Sequence, residues 1–281
     1  MAFLAAGFSL VTLAGISLPA GASALSGAGT RSATVLTTIS RAQPVISKAG
    51  IRPPKNPSKS LPPSPDFLSN SACRGSKDTA SCNTVVLKAV THARSVLEKM
   101  GAMKFALSGY DKLTGAEQLF VTANLERAAR GIPVVSELTK SLDALALVGA
   151  RTETDPPFYT SGYLPGGGRS EGQGGNWAAG YDNPLGSDYG WMYDDGYPSP
   201  NLDCRKAGGP GCWGHRDNVL RTYASATICG VLGVETVMGA AKVAVAKLGD
   251  SETELFVGVC GKMPTDAVFT WTRAKQLLHI S

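Results

Sequence analysis

The 281-residue sequence lacks several patterns that would place it in a common class of protein. It has no Cys-x-x-Cys pair and only three histidines, so Cys212 and His215 have no second pair with which to complete a zinc tetrahedron. Aromatic residues make up 7% of the chain, and no block of Lys and Arg alternates with them. We therefore expect no nucleic-acid partner. The glycine-rich stretches lack the strand and helix context of a phosphate-binding loop.

Charge is also missing from the first 24 residues, which run apolar from Ala2 to Leu18 and end in Ala22-Ser23-Ala24. This small-x-small ending is typical of a signal-peptidase site, and we predict a secretory signal peptide over residues 1–24. A single membrane anchor is the alternative, but an apolar run of about 18 residues is short for a span. We expect a secreted protein, extracellular or associated with the cell wall, that keeps no stable membrane span after processing.

Six cysteines are present, and an even number in a chain with a predicted leader indicates a disulfide framework. Two pairs lie close together in sequence, and the third pair flanks a predicted hairpin. Six cysteines allow fifteen connectivities, of which local pairing is the simplest. Local pairing joins Cys73 to Cys82, Cys204 to Cys212, and Cys229 to Cys260.

The composition divides the remaining chain into two parts. Residues 25–70 are rich in Ser, Thr, Pro and Ala and have no sustained apolar periodicity, which predicts a disordered linker. Residues 71–281 are the predicted domain, and about 71–113 form its N-terminal helical extension. The formal charge of +5 favours solubility and a mild attraction to anionic wall polymers.

Apolar spacing predicts helices first and strands afterwards within this domain. Residues 155–180 read as a long glycine-rich loop without a strand. Strands are predicted at 223–229, 236–246 and 254–260, with the last two forming a hairpin about Gly249-Asp250-Ser251. The predicted helices are 83–100, 114–131 with a capping box from Thr114 and Glu117, 136–150, and 184–194 with Asp182 or Asn183 as cap.

Four short motifs follow one another between residues 124 and 220. They are Asn124-Leu125-Glu126-Arg127 followed by Gly131-Ile132-Pro133-Val134-Val135, then Asn176-Trp177-Ala178, then Trp191, then Gly214-His215-Arg216-Asp217-Asn218-Val219-Leu220. In this order they resemble the CAP superfamily, the cysteine-rich secretory and pathogenesis-related proteins, and in particular its bacterial SCP-like members. The resemblance spans about residues 114–260, and its most specific part is the His215 motif.

The resemblance implies an α+β fold, an α-β-α sandwich around an antiparallel sheet, with a cleft beside His215. Many relatives hold a divalent metal there with two histidines and two acidic residues. In this chain Gly175 stands where a glutamate precedes the asparagine, and no histidine occurs between His92 and His215. We therefore expect no stable metal and no cofactor. The candidate cleft residues are His215, Asp194, Asp195, Asn176, Trp191, Arg216 and Asn218.

Three functions remain open from the sequence. The favoured one is non-enzymatic binding of an extracellular or cell-wall ligand through the cleft around His215. The second is an extracellular hydrolase that uses His215 with Asp194 or Asp195. The third is a structural envelope protein with a vestigial cleft. No catalytic residue is assigned, although Ser170, Ser187 and Ser199 are conceivable nucleophiles for a hydrolase.

Overall fold

The structure is a computed structural model that describes residues 54–74, 79–181, 183–245 and 249–281. The predicted signal peptide, linker residues 25–53, the candidate cap Asp182 and the predicted strand end at Ala246 lie outside the described residues. No helix in the described ranges is long and apolar enough to cross a membrane.

Helices and one sheet make up the described part of the chain. The helices are α1 (Ala80–Glu98), α2 (Leu107–Tyr110), α3 (Gly115–Ala128), α4 (Lys140–Thr152), α5 (Pro184–Tyr193), α6 (Gly214–Leu220), α7 (Ala226–Cys229) and α8 (Trp271–Leu278). The strands are β1 (Glu137–Thr139), β2 (Arg169–Ala179), β3 (Val234–Val245), β4 (Gly249–Cys260) and β5 (Ala267–Thr270).

The five strands form one sheet in the order β2-β4-β3-β1-β5. Strand β4 pairs antiparallel with both β2 and β3, and β1 pairs antiparallel with β5. Strand β1 runs parallel to β3, so the sheet is mixed and not purely antiparallel. The predicted α+β class is confirmed at this level.

Helices cover both faces of the sheet, because alternate residues of a strand point to opposite sides. On one face Leu142 of α4 packs with Val237, Leu255 and Val257. Helix α4 approaches so closely that a Cβ on Gly239 would lie 2.1 Å from the Leu142 carbonyl carbon. The other face contributes side chains of β3 and β4 to the larger core, together with α1, α3 and α5.

Local capping chemistry positions two of the predicted helices. The Thr114 hydroxyl accepts from the Glu117 backbone N–H, and the Glu117 carboxylate accepts from the Thr114 N–H at 2.8 Å, so the capping box is confirmed. Asn183 accepts from the two N–H groups of Leu185 and Gly186 and starts α5. These side chains satisfy amide groups that have no partner inside the helix.

Three predicted segments are wrong. Residues 137–139, predicted as the start of a helix, form strand β1, and α4 begins at Lys140. Residues 169–179 form the edge strand β2, although glycine content predicted a loop. The glycines are required by close approach: a Cβ on Gly174 would lie 2.5 Å from the Asn218 Oδ1, and Gly172, with φ +51°, lies at a bulge. Residues 226–229 form helix α7 and not a strand, because the Ser225 hydroxyl caps the Ile228 N–H.

The start of the described chain differs from the predicted linker, which was expected to reach residue 70. Leu61 exchanges hydrogen bonds with α5, since its N–H donates to the Tyr193 carbonyl and its carbonyl accepts from the Tyr189 hydroxyl, both at 2.9 Å. Phe67 is fully buried and meets the Tyr189 ring edge-on. Residues 60–67 therefore pack against α5.

A buried charge network joins α1, α3 and α5. Glu126 is fully buried and accepts from the guanidinium groups of Arg94, at 2.6 Å, and Arg130. Its other oxygen accepts from the Tyr193 hydroxyl at 2.6 Å. Removal of this one carboxylate would leave two buried arginines short of a counter-charge.

All three predicted disulfides are present. The Cα–Cα distances are 4.7 Å for Cys73–Cys82, 4.4 Å for Cys204–Cys212 and 5.2 Å for Cys229–Cys260. Disulfides persist in oxidising compartments, so this framework points to an extracellular location.

Candidate functional site

A cleft of about 430 Å³ opens beside His215. Three stretches line it: residues 153–155 after α4, residues 177–181 at the end of β2, and parts of 190–215 between α5 and the start of α6. The sequence placed Asp194, Asp195, Trp191 and His215 at a cleft, and all four line this one.

The loop between α5 and α6 forms one wall of the cleft. Asn201 fixes the loop, since its side-chain amide donates to the Asp195 carboxylate at 2.6 Å and to the Gly211 carbonyl at 3.1 Å. The Trp213 indole packs on Gly196, where a Cβ would lie 2.5 Å from the ring. The Cys204–Cys212 disulfide closes the same loop.

Asp195 holds His215 in one orientation. The His215 Nδ1 lies 2.7 Å from the Asp195 Oδ1. The second oxygen of Asp195 accepts from the backbone N–H groups of His215, at 3.0 Å, and Arg216, at 3.3 Å. Because Nδ1 is engaged and Nε2 has no hydrogen-bond partner among the described residues, Nε2 is the nitrogen left for a ligand, and the side chain keeps 19% of its surface exposed at the cleft.

The two members of this pair influence each other's ionisation. Burial favours neutral His215, but the Asp195 carboxylate, reinforced by Asp155 and Asp203, outweighs it and raises the pKa of His215 above its ordinary value. Burial also favours the neutral form of Asp195, which for a carboxyl group means a raised pKa. The hydrogen bonds from His215 and Arg216 to Asp195 only partly oppose this effect. The pair can therefore hold and release a proton beside the cleft.

Asp194 is the second ionisable group of interest. It lines the cleft with only 6% of its surface exposed, and its Oδ1 accepts no hydrogen bond from any described residue. Burial, opposed by the Ser60 hydroxyl and assisted by the Asp195 charge, raises the pKa of Asp194 to about 7. A buried carboxylate oxygen without a donor is costly, so Asp194 is poised to take a proton or a cationic partner.

Three other predicted site residues lie behind the cleft and do not line it. Asn176 donates to the His215 carbonyl at 3.0 Å and to Glu254 at 2.7 Å, and its own carbonyl accepts from Asn218 at 3.0 Å. These contacts hold α6 against β2. Arg216 is fully buried and donates to the Met192 carbonyl and to Glu98, so it ties α6 to α5 and α1. Asn176, Arg216 and Asn218 therefore hold α6 in place behind the cleft.

Sequence reasoning missed the acidic side chains Glu153, Asp155 and Asp203, which also line the cleft. Glu153 ends α4 in the left-handed conformation, at φ 55°, and thereby turns the chain toward the cleft. Asp203 precedes a disulfide cysteine that the sequence already placed near His215, and that adjacency was the available signal. Nothing local marks Glu153 or Asp155.

The candidate serine nucleophiles do not reach His215. Ser170 lies within a Gly-x-Ser-x-Gly stretch, 168–172, but on a strand and not on the strand-to-helix turn that such a nucleophile needs. The Ser170 hydroxyl donates to the Ser161 carbonyl. Ser170 lies roughly 20 Å along β2 from Trp177, which lines the cleft, at ~3.3 Å per residue. Ser187 is buried against Glu252, and Ser199 does not line the cleft.

The described residues form no metal site. No group of three or more His, Cys, Asp or Glu side chains among them is placed to hold a metal ion. The carboxylates of the cleft are spread around its wall.

Comparison with known proteins adds no relative. No family model, curated protein or solved structure matches the chain.

Proposed function

We propose that this protein is a secreted, CAP-like domain that binds an extracellular or cell-wall ligand in the cleft around His215. The observation that carries the proposal is the arrangement of His215, whose Nδ1 is fixed by Asp195 while Nε2 is left for a ligand in a cleft of about 430 Å³. A concave site with a few oriented polar groups is the usual form of a ligand pocket.

Two further features support parts of this proposal. The three disulfides are consistent with export to an oxidising compartment. The motif residues on which the CAP resemblance rests converge, since Trp191 and His215 line the cleft while Asn176 bonds the His215 carbonyl. A sheet with helices on both faces is compatible with a CAP-like sandwich.

One observation favours a hydrolase as the second candidate. His215 paired with Asp195 can accept a proton from water, and Asp194, whose pKa is raised to about 7 by burial, can donate one at neutral pH. Such a mechanism would need no serine. Binding remains the first choice because no described side chain of the cleft supplies a placed nucleophile or an oxyanion site.

The deciding experiment compares His215→Ala with His92→Ala, which removes an exposed histidine of α1. Purified residues 25–281 are titrated by calorimetry with solubilised cell-wall fragments, and product release is followed on the same samples. We expect His215→Ala to weaken binding at least tenfold in a protein that stays folded but melts at a lower temperature, because buried Asp195 loses one partner, while His92→Ala binds and melts normally.

Other results would reject the binding proposal. Turnover that His215→Ala abolishes would favour the hydrolase. Equal behaviour of wild type and both variants would mean that the cleft has no role in binding.

A further inference from the structure

We propose that the ligand of this cleft is cationic, and specifically a peptide that carries a lysine-type side chain, a primary ammonium group on an apolar stem. This inference rests on the proposed function, because it assumes that the cleft is a binding site. Three properties of the cleft support it: the charge of the lining, the burial of its carboxylates and the apolar residues around them.

The cleft has the opposite charge to the chain as a whole. Among the described residues, the lining holds five carboxylates, on Glu153, Asp155, Asp194, Asp195 and Asp203, and one basic side chain, His215. The whole chain carries a formal charge of +5. After the pairing of Asp195 with His215, a surplus of carboxylates remains. A concave acidic surface attracts cations and repels anionic wall polymers.

Asp194 provides an independent reason to expect a donor ligand. Only 6% of the Asp194 surface is exposed at the cleft wall, and its buried Oδ1 has no hydrogen-bond partner among the described residues. Buried polar atoms are nearly always satisfied. An ammonium group has three donors and no acceptor, so it can bond one carboxylate of the cleft lining, such as Asp194, and still bond a second.

The other residues that line the cleft suit an apolar stem better than a small hydrated ion. The half-buried Trp177 and Tyr181 present aromatic surface, the largely buried Trp191 also lines the cleft, and Pro200 and Leu202 complete the rim. Aromatic faces attract ammonium groups, and the methylene chain of a lysine packs on apolar surface while its charge reaches a polar end. The dispersed carboxylates do not form a metal-binding group within the described residues.

A neutral sugar would use the aromatic wall but would gain nothing from the surplus of carboxylates. The charge therefore distinguishes a lysine-bearing peptide from a neutral glycan fragment.

The test uses three peptides of one length: acetyl-Ala-Ala-Lys-Ala-Ala-amide, its Nζ-acetylated form, and the form with Glu in place of Lys. Calorimetry and tryptophan fluorescence at pH 8 measure their binding to residues 25–281 with the disulfides intact. We expect the lysine peptide to bind, the acetylated peptide to bind at least tenfold more weakly, and the glutamate peptide to show no binding.

Substitutions in the protein then identify the carboxylates that bind the ammonium group of the peptide. Asp194→Asn and Asp203→Asn should each weaken the lysine peptide several-fold. Glu235→Gln is the control, because it removes an exposed carboxylate from the start of β3, opposite Val259 and away from the cleft lining.

Each contrary result overturns the inference, and the pattern separates it from the proposed function. Equal affinity for the lysine and acetylated peptides would show that the ammonium group is not recognised. Binding of a neutral glycan fragment, lost in His215→Ala, with no binding of the lysine peptide would refute the cation and leave the binding cleft intact. Failure of all the peptides and of wall fragments alike would remove both proposals.

Discussion

Replacement of Asp194 by Asn should make the protein more stable at alkaline pH and leave its stability near pH 4 unchanged. The folded-state pKa of Asp194 is about 7, raised by burial from the ordinary value of 3.8. A raised carboxyl pKa means that the neutral form is favoured in the folded state. The stabilisation that the protonated Asp194 carboxyl gives the folded state is full below about pH 4 and is lost as the pH rises through 7.

The magnitude follows from this interval. About three pKa units, at roughly 1.36 kcal/mol each, give an upper limit of roughly 4 kcal/mol of destabilisation above pH 7, and solvent screening of this partly exposed carboxyl group lowers it. Asn keeps the shape of the side chain and cannot ionise, so Asp194→Asn should recover most of this free energy at pH 8. For a domain of this size, the upper limit corresponds to a rise in Tm of roughly 8–16 °C, and we expect a smaller rise.

The assay is urea-induced unfolding of wild type, Asp194→Asn and Glu235→Gln at pH 4, 6 and 8. The groups that face Asp194 are Ser60, Tyr181, Tyr189 and Asp195, and all of them are retained in the variant. A gain for Asp194→Asn of the same size at pH 4 and pH 8 would refute the titration argument. A gain at pH 8 accompanied by loss of lysine-peptide binding would show stability sacrificed for recognition.

Two further predictions concern the scaffold. Glu126→Ala should cost about 3–5 kcal/mol in urea unfolding, because it leaves two arginines buried without their shared carboxylate, and a loss below about 1 kcal/mol would contradict the network. The double variant Cys204→Ser, Cys212→Ser should lose about 2–3 kcal/mol in the same assay, since a short loop is released, and should also bind cleft ligands more weakly. Unchanged ligand affinity in that variant would show that the loop is ordered without its disulfide.

Much of the local structure could be predicted because it depends on residues close together in sequence. Thr114 and Glu117 cap α3 within one turn, and Asn183 starts α5 in the same way. The disulfides were predictable for the same reason. Strand β2 was missed because two of its glycines, Gly172 and Gly174, are explained only by the approach of Tyr223 and Asn218, some 40 to 50 residues later in the chain.

The candidate site shows the same division. His215, Asp194 and Asp195 were predicted from neighbouring motifs and meet in the cleft. Arg216 and Asn218 share the motif with His215, but the turn of α6 directs them into the protein, where they bond Glu98 and Gly175. Sequence proximity gave the place of the cleft without the direction of each side chain.

The spacing of the disulfides has a consequence for how this chain matures. The bonded cysteines are separated by only 9, 8 and 31 residues. By contrast, the parallel pairing of β1 with β3 joins residues about a hundred positions apart, Leu138 with Met238. Short loops close with little loss of entropy, whereas distant strand pairs are slow to form. Each native disulfide can therefore form within a short segment of the chain in an oxidising environment. Mispaired cysteines then need not be rearranged while the sheet assembles.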